Sequence, residues 1–344
     1  MAKQLFSKAS LAFYFLLIIL IIVAFFHFTE LQKILALVSD IEIEWFALAV
    51  IAQLLTYLFM AYGYFDLLIL YGNQASIGIQ ELFKRSIINI FLNQAIPTGG
   101  VSGNSFLLSY FHKKELPLQK GFSVIVLNAI TYYFSHLVLL FLSFFVLFML
   151  NPRSLNARLL VGGVFSAVLF TLLLVLSFVF GSKKIMSFVG TKIRAYKWLL
   201  YLFNRYKTNF LGSDGMVVQE EWSSPFEVLK SKTKFLLKPI IWQLAIILAD
   251  AFTLYFIFLG FNFFPFFIEI IIVLLLTKAV AAVAISPGAL VVFEGGMVLF
   301  FNAFGIPLSV AIIVTLLFRA LSFWLPMPFG LWLYRQISKQ TANY

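Results

Sequence analysis

Long apolar runs separated by short polar breaks dominate the chain, and their lengths predict membrane-crossing helices. Runs over about 10–28, 45–70, 118–150, 159–180, 240–260 and 306–333 approach or exceed the ~20 apolar residues that span a bilayer. Two further stretches, 78–112 and 265–302, carry a break within the apolar pattern. In the first it reads Asn93-Gln94-Ala95-Ile96-Pro97-Thr98-Gly99-Gly100, and in the second it begins Ser286-Pro287-Gly288-Ala289. Irregular backbone at membrane depth is tolerated only where protein or a wet cavity surrounds it. Each stretch is therefore expected to form a re-entrant hairpin of two partial helices.

The two broken stretches repeat. Residues 97–134 and 287–324 align without a gap at a spacing of 190, with seven of the 38 positions identical. Pro97 falls on Pro287, Pro117 on Pro307, Leu118 on Leu308 and Asn104 on Glu294. Charge then orients the path, because cytoplasmic loops carry the excess of Lys and Arg. Lys3 and Lys8 put the N-terminus inside, and the first run, which lacks a small-residue cleavage site, reads as a retained helix. It leads to an acidic outer stretch (Glu30, Asp40, Glu42, Glu44), where 31–38 could lie along the interface. Residues 182–238 hold 11 basic side chains against four acidic ones and belong inside, with 183–207 as an amphipathic surface helix and 211–215 as a turn. Arg335 and Lys339 bring the C-terminus inside as well.

On this path the first hairpin enters from inside and the second from outside. The expected fold is an all-α membrane protein. It is a single polytopic helical bundle of two inverted repeats, about 45–150 and about 240–334, joined through the basic cytoplasmic loop 182–238. Paired broken segments of this kind mark the substrate site of many transporters.

Composition narrows the chemistry. With 62% hydrophobic and 11% charged residues the chain is not an ordinary water-soluble domain, and its 344 residues are largely used by the spans and one loop. There is no cysteine, and His27, His112 and His136 are scattered without metal-ligand spacing, so no cofactor or metal is expected. No Walker motif is present. The formal charge of +11 suits loops facing anionic lipid, and nucleic acid is not an expected partner.

Ionisable residues inside spans are costly and point to function. Glu294 follows the second break, and Arg319 lies among Leu316, Leu317, Phe318 and Leu321. They could face one cavity, with Arg319 taking a lipid phosphate in a bidentate grip, or form a structural ion pair. Asp250 and Lys278 are a second candidate pair, structural or gating, with Lys278 alternatively meeting an anionic head group. In the first break, Pro97, Gly99, Gly100 and Asn104, with Asn93, Gln94, Thr98, Ser102, Gly103 and Ser105, could build an anion nest or simply let helices pack closely. Asn128 and His136 could line the same space or be interior packing residues.

The string Asn93 to Gly100, the string Ser286-Pro287-Gly288-Ala289-Leu290-Val291-Val292-Phe293-Glu294-Gly295-Gly296, Arg319, and Pro326-x-Pro328-Phe329-Gly330 resemble the lysylphosphatidylglycerol synthase transmembrane, flippase-like family over nearly the whole chain. The resemblance implies a lipid-handling protein of a bacterial or archaeal cytoplasmic membrane. Larger members fuse this region to an aminoacyl-transferase domain, for which this sequence has no counterpart. Asn104-Ser105 stands where the family carries an acidic residue followed by Arg, and Ala289 replaces a glycine. The expected function is a lipid transporter, not an enzyme, moving a phospholipid or polyprenyl-phosphate-linked lipid between leaflets. Pro97, Gly99, Gly100, Asn104, Asp250, Lys278, Pro287, Gly288, Glu294 and Arg319 would contact its head group. Two alternatives are an intramembrane enzyme acting on a lipid-linked substrate and a membrane subunit that docks a cytoplasmic lipid-modifying enzyme.

Overall fold

Among the described residues the apolar runs become helices, and no strand is formed. The computed structural model describes residues 41–72, 77–96, 98, 100–182, 225–231, 233–284 and 286–342. The expected helix at 10–28, the interfacial stretch 31–38, the surface helix 183–207, the turn 211–215, Pro97 and Gly99 lie outside them. The first half contains α1 (Ile43–Leu70), α2 (Ile79–Ala95), α3 (Val101–Lys113), α4 (Leu118–Leu150) and α5 (Ala157–Phe180). The short α6 (Pro225–Ser231) precedes α7 (Leu237–Gly260), α8 (Phe267–Ala282), α9 (Val292–Ala303), α10 (Leu308–Arg319) and α11 (Pro326–Ala342).

Among the described residues, five segments are long and apolar enough to cross a membrane: α1, α4, α5, Lys234–Gly260 and Leu308–Ile337. The hairpin arms α2, α3, α8 and α9 have 17, 13, 16 and 12 residues. At ~1.5 Å per residue they are roughly 18–26 Å long, short of the ~30 Å hydrocarbon core. Phe141, Phe145 and Phe148 on α4 and Val161, Val164 and Val168 on α5 are all more than half exposed. An apolar face of that size is stable against lipid rather than water.

Helix ends recur at the 190-residue spacing. α1 and α7 stop at Leu70 and Gly260, each followed two residues later by a left-handed residue, Gly72 (φ 81) and Asn262 (φ 57). α3 and α9 close with the same left-handed turn. Leu116 N donates to Phe111 O and Ile306 N to Phe301 O, both at 3.1 Å, around Glu115 (φ 63) and Gly305 (φ 85). Pro117 and Pro307 then open α4 and α10 with nearly equal dihedrals, φ −52 and −54, ψ 139 and 137. A proline at this position suits a helix start because its missing N–H has no intrahelical partner there.

Helices α1 and α7 pack along each other in opposite directions. Glu42 N donates to Gly260 O (3.0 Å), Trp45 stacks on Phe256, Thr56 meets Asp250, and Trp242 Nε1 donates to Asp66 (2.7 Å). α8 lies innermost, with every residue from Glu269 to Thr277 buried against α4, α5, α7 and α9. α2 packs on α1, α3 and α11, and Gly330 of the Pro-x-Pro-Phe-Gly string lets α11 cross α2 at Phe91, whose Cβ occupies the space a side chain would need.

The last run, expected as one continuous helix, is interrupted. Residues Ala320–Trp324 form a π-helical turn between α10 and α11, in which Leu325 N donates to Ala320 O at 2.8 Å. The cause is Pro326, which cannot donate to the carbonyl of Ser322 and whose ring would collide with it. The freed carbonyls find donors elsewhere: Tyr57 OH reaches Leu321 O (3.3 Å) and Gln94 Nε2 reaches Ser322 O (3.2 Å). π turns of this kind gather at functional sites. Gln94→Leu, which leaves the Ser322 carbonyl without its partner, is expected to cost about 1–2 kcal/mol. A shift of the unfolding midpoint in detergent micelles measures this, and an unchanged midpoint would contradict the role given to Gln94.

Candidate functional site

The second break brings Glu294, Arg319 and Gly288 together. Arg319 Nε donates to Glu294 Oε1 at 2.6 Å, and its NH2 donates to the carbonyl of Gly288 at 2.9 Å. The guanidinium carbon lies over the rings of both Phe293 (4.6 Å to the ring centre) and Phe323 (4.4 Å). Its side chain is 6% exposed and that of Glu294 21%. Oε2 of Glu294 is buried without a hydrogen-bond partner. The pair thus has a covered cation and a carboxylate with one oxygen still to be satisfied.

Backbone strain surrounds this pair. Gly288 (φ 57), Ala289 (φ 55) and Val291 (φ 73) all lie on the left-handed side, and Val291 is both β-branched and 80% exposed. Each such non-glycine residue costs about 1–3 kcal/mol and persists only where its surroundings over-determine it. At Gly288 the need for glycine is also steric, because a Cβ would run into the Phe323 ring. Pro287 opens the short turn Pro287–Ala289, which packs against α2 and so sets the second break beside the first hairpin.

The second candidate pair also forms. Lys278 Nζ donates to Asp250 Oδ2 at 2.8 Å, with side-chain exposures of 16% and 9%. Thr56 Oγ1 donates to Asp250 Oδ1 at 3.0 Å. Consecutive residues of α1 therefore touch both neighbourhoods, Thr56 at Asp250 and Tyr57 at the π turn two residues beyond Arg319. His136 is fully buried on α4, its Nδ1 2.8 Å from Tyr132 O and its Nε2 without a partner.

The break of the first hairpin is built from neutral groups. Gly100 starts α3 in the left-handed conformation (φ 88), and Thr98 Oγ1 accepts from Ser102 N at 3.0 Å. Asn93 Oδ1 accepts from Gly103 N (2.7 Å), and Asn93 Nδ2 donates to Asn89 Oδ1 (2.6 Å). Asn89 and Asn128 both donate to the Tyr64 hydroxyl at 3.3 Å, and Gln243 donates to Asn128 at 2.9 Å. This amide seam ties α3, α2, α1, α4 and α7 in one chain. Asn104 sits on the first turn of α3, and among the described residues no hydrogen bond joins it to either ion pair. At the open end of the hairpin, Glu81 and Lys114 pair at 3.0 Å.

Of the sequence-derived candidates, Glu294, Arg319 and Gly288 form one cluster and Asp250 and Lys278 another. Gly100 and Asn104 stand apart on α3, and Pro97 and Gly99 lie outside the described residues. Sequence reasoning missed Thr56, Tyr57, Phe323 and Tyr64 and the ring of Phe293 beside Arg319, and it offered Gln94 for an anion nest or close packing rather than as the donor to Ser322 O. Pro326 was the one signal that the last helix must loosen and that some side chain must serve the freed carbonyls.

Residues 9–330 match the family model described as lysylphosphatidylglycerol synthase TM region. The chain is similar to a UPF0104 membrane protein of Methanocaldococcus jannaschii, with 26% identity over 90% of each chain. It is also similar to a UPF0104 membrane protein of Pyrococcus horikoshii, 22% identical over 87% of this chain and 89% of that one.

Proposed function

Because this chain belongs to the lysylphosphatidylglycerol synthase TM region family, we propose that it is a lipid transporter. It moves a phospholipid or polyprenyl-phosphate-linked lipid between the leaflets of a bacterial or archaeal cytoplasmic membrane, with both termini inside. The observation that carries this reading is the buried Glu294–Arg319 pair at the strained break of a helical hairpin, with Glu294 Oε2 unsatisfied. Charges kept at such cost inside an apolar bundle mark substrate or ion pathways.

The inverted-repeat arrangement is part of the same reading. Its support is the recurrence of helix ends at 190 residues and the opposite course of α1 and α7. Alternating exposure would come from leaning one half on the other, with the second break against α2 as the moving contact. The strained backbone at Gly288–Val291 and the side-chain-served π turn are the elements that can change shape. In this reading the chain catalyses no covalent chemistry.

The test is lipid movement in proteoliposomes with labelled phospholipids and a labelled polyprenyl phosphate. Glu294→Gln keeps an acceptor for Arg319 while removing the charge, and is expected to slow movement at least about tenfold, as loss of one charged contact does. No movement of any lipid by wild-type protein would sink the proposal and favour the enzyme or docking-subunit alternative.

A further inference from the structure

His136 is a buried ionisable group that neither hairpin uses. It is fully buried on α4, its ring packed on Tyr132 (centres 3.9 Å apart) and beside Phe170 of α5 (5.1 Å). Its Nδ1 lies 2.8 Å from the carbonyl oxygen of Tyr132, which can only accept. Nδ1 therefore carries the ring proton, and Nε2 keeps a lone pair. That lone pair is buried and has no partner. A buried acceptor left without a donor is uncommon and calls for an account.

A donor stands on a neighbouring helix. α8 packs against both α4 and α7, and the charge of Lys278 acts on the rings of His136 and Tyr132. In the observed arrangement Lys278 turns to α7, donating to Asp250 Oδ2 at 2.8 Å, while Thr56 of α1 donates to Oδ1. The other ionisable groups near the imidazole are Tyr132 and Tyr133 of α4, and α5 presents only the Phe170 ring. We infer that Lys278 has two seats, Asp250 on α7 and His136 Nε2 on α4, and that a proton on Asp250 moves it from the first to the second. The proton comes from the aqueous phase and adds to the carboxylate. Lys278 keeps its three N–H bonds, and His136 stays neutral and accepts one of them as a hydrogen bond. The net charge of the three groups rises from zero to plus one. A buried ammonium that loses its counter-ion is costly, and a neutral imidazole nitrogen is the acceptor it then needs. α8 thereby exchanges a tie to α7 for a tie to α4. This switch belongs to the helices themselves and does not depend on what the chain carries.

A double-mutant cycle on the full chain in detergent micelles tests the second seat. Asp250→Val removes the first seat, and His136→Phe keeps the ring packing without the acceptor. With Val at 250, His136→Phe is expected to lower the folded-to-unfolded ratio at least about tenfold more than it does with Asp250 in place, the worth of one hydrogen bond to a charged group. Additive effects, within about twofold, overturn the inference. Wild-type protein supplies a second measurement should the Asp250→Val variants fail to fold. The 15N resonance of His136 Nε2, identified by its loss in His136→Phe, is followed on acidification beside the infrared carbonyl band of protonated Asp250, identified by its loss in Asp250→Asn. The Nε2 signal is expected to move to a hydrogen-bonded position as that band appears, with the ring still carrying one proton. Three results overturn the switch: an Nε2 signal unmoved once the band is present, an imidazole that takes a second proton while Asp250 is still ionised, and no such band at any pH at which the chain stays folded.

Discussion

Arg319→Ala is expected to lower stability by about 3–5 kcal/mol, the loss typical of stranding one member of a buried ion pair. Three consequences add up at this position. Glu294 loses the partner of its Oε1, and its other oxygen is already unpaired. The Gly288 carbonyl loses the donor that holds a left-handed turn in place. Phe293 and Phe323 lose the guanidinium that packs on both rings and face a void. The unfolding midpoint in detergent micelles measures the sum. The double variant Glu294→Gln with Arg319→Met is expected to recover more than half of the loss, because neutral groups of similar volume carry no unpaired charge. A loss under about 1 kcal/mol for Arg319→Ala would mean that water reaches the pair freely and that the enclosed cation described above is wrong.

At Gly103 a single added methyl is expected to remove about 2 kcal/mol or more, within the range for forced overpacking. The sign is informative, since helix propensity alone would make alanine better than glycine by about 1 kcal/mol. What opposes it is the close approach of α3 to α2. A Cβ on Gly103 would run into the side-chain and backbone oxygens of Asn89 and lie 2.7 Å from Asn93 Cγ. A backbone carbonyl cannot rotate aside, so the arms of the hairpin must part and the Asn93 bond to Gly103 N must lengthen. Gly295 is the matched control, because a Cβ there meets nothing within 4 Å. Gly295→Ala is expected to be neutral or stabilising in the same unfolding measurement. If both variants shift the midpoint alike, the hairpin arms are not packed as closely as described.

Much of the architecture was legible in the sequence for identifiable reasons. Proline and glycine cannot continue a helix without consequence, so Pro117, Pro307 and the break at Gly288 located the ends of the hairpin arms. Charges stand out in an apolar run, so Glu294, Arg319, Asp250 and Lys278 could be paired before any contact was known. The unread part depends on groups whose character does not betray their role. Tyr57, Thr56 and Tyr64 sit in α1 among other apolar and aromatic residues, and only the packing of the π turn, α7, α2 and α4 gives them partners. Phe293 and Phe323 are two of 43 phenylalanines, and nothing in their spacing marks them as the walls around a guanidinium. Pro326 announces a loosened helix, yet the donor that repairs it, Gln94, lies 228 residues away from the Ser322 carbonyl it serves.

Two halves of identical sequence, leaning on each other in either direction, would have two resting arrangements of equal free energy. The described chain departs from that symmetry in its chemistry: amides brace the first break, and an ion pair braces the second. In the proposed transport cycle the degeneracy is therefore lifted, and the unliganded protein would favour one arrangement. A bias of only about 1.4 kcal/mol already sets a population ratio of ten to one. If the chain moves lipid as proposed, a molecule so weighted has a default posture, and that posture sets the leaflet from which it first accepts a lipid.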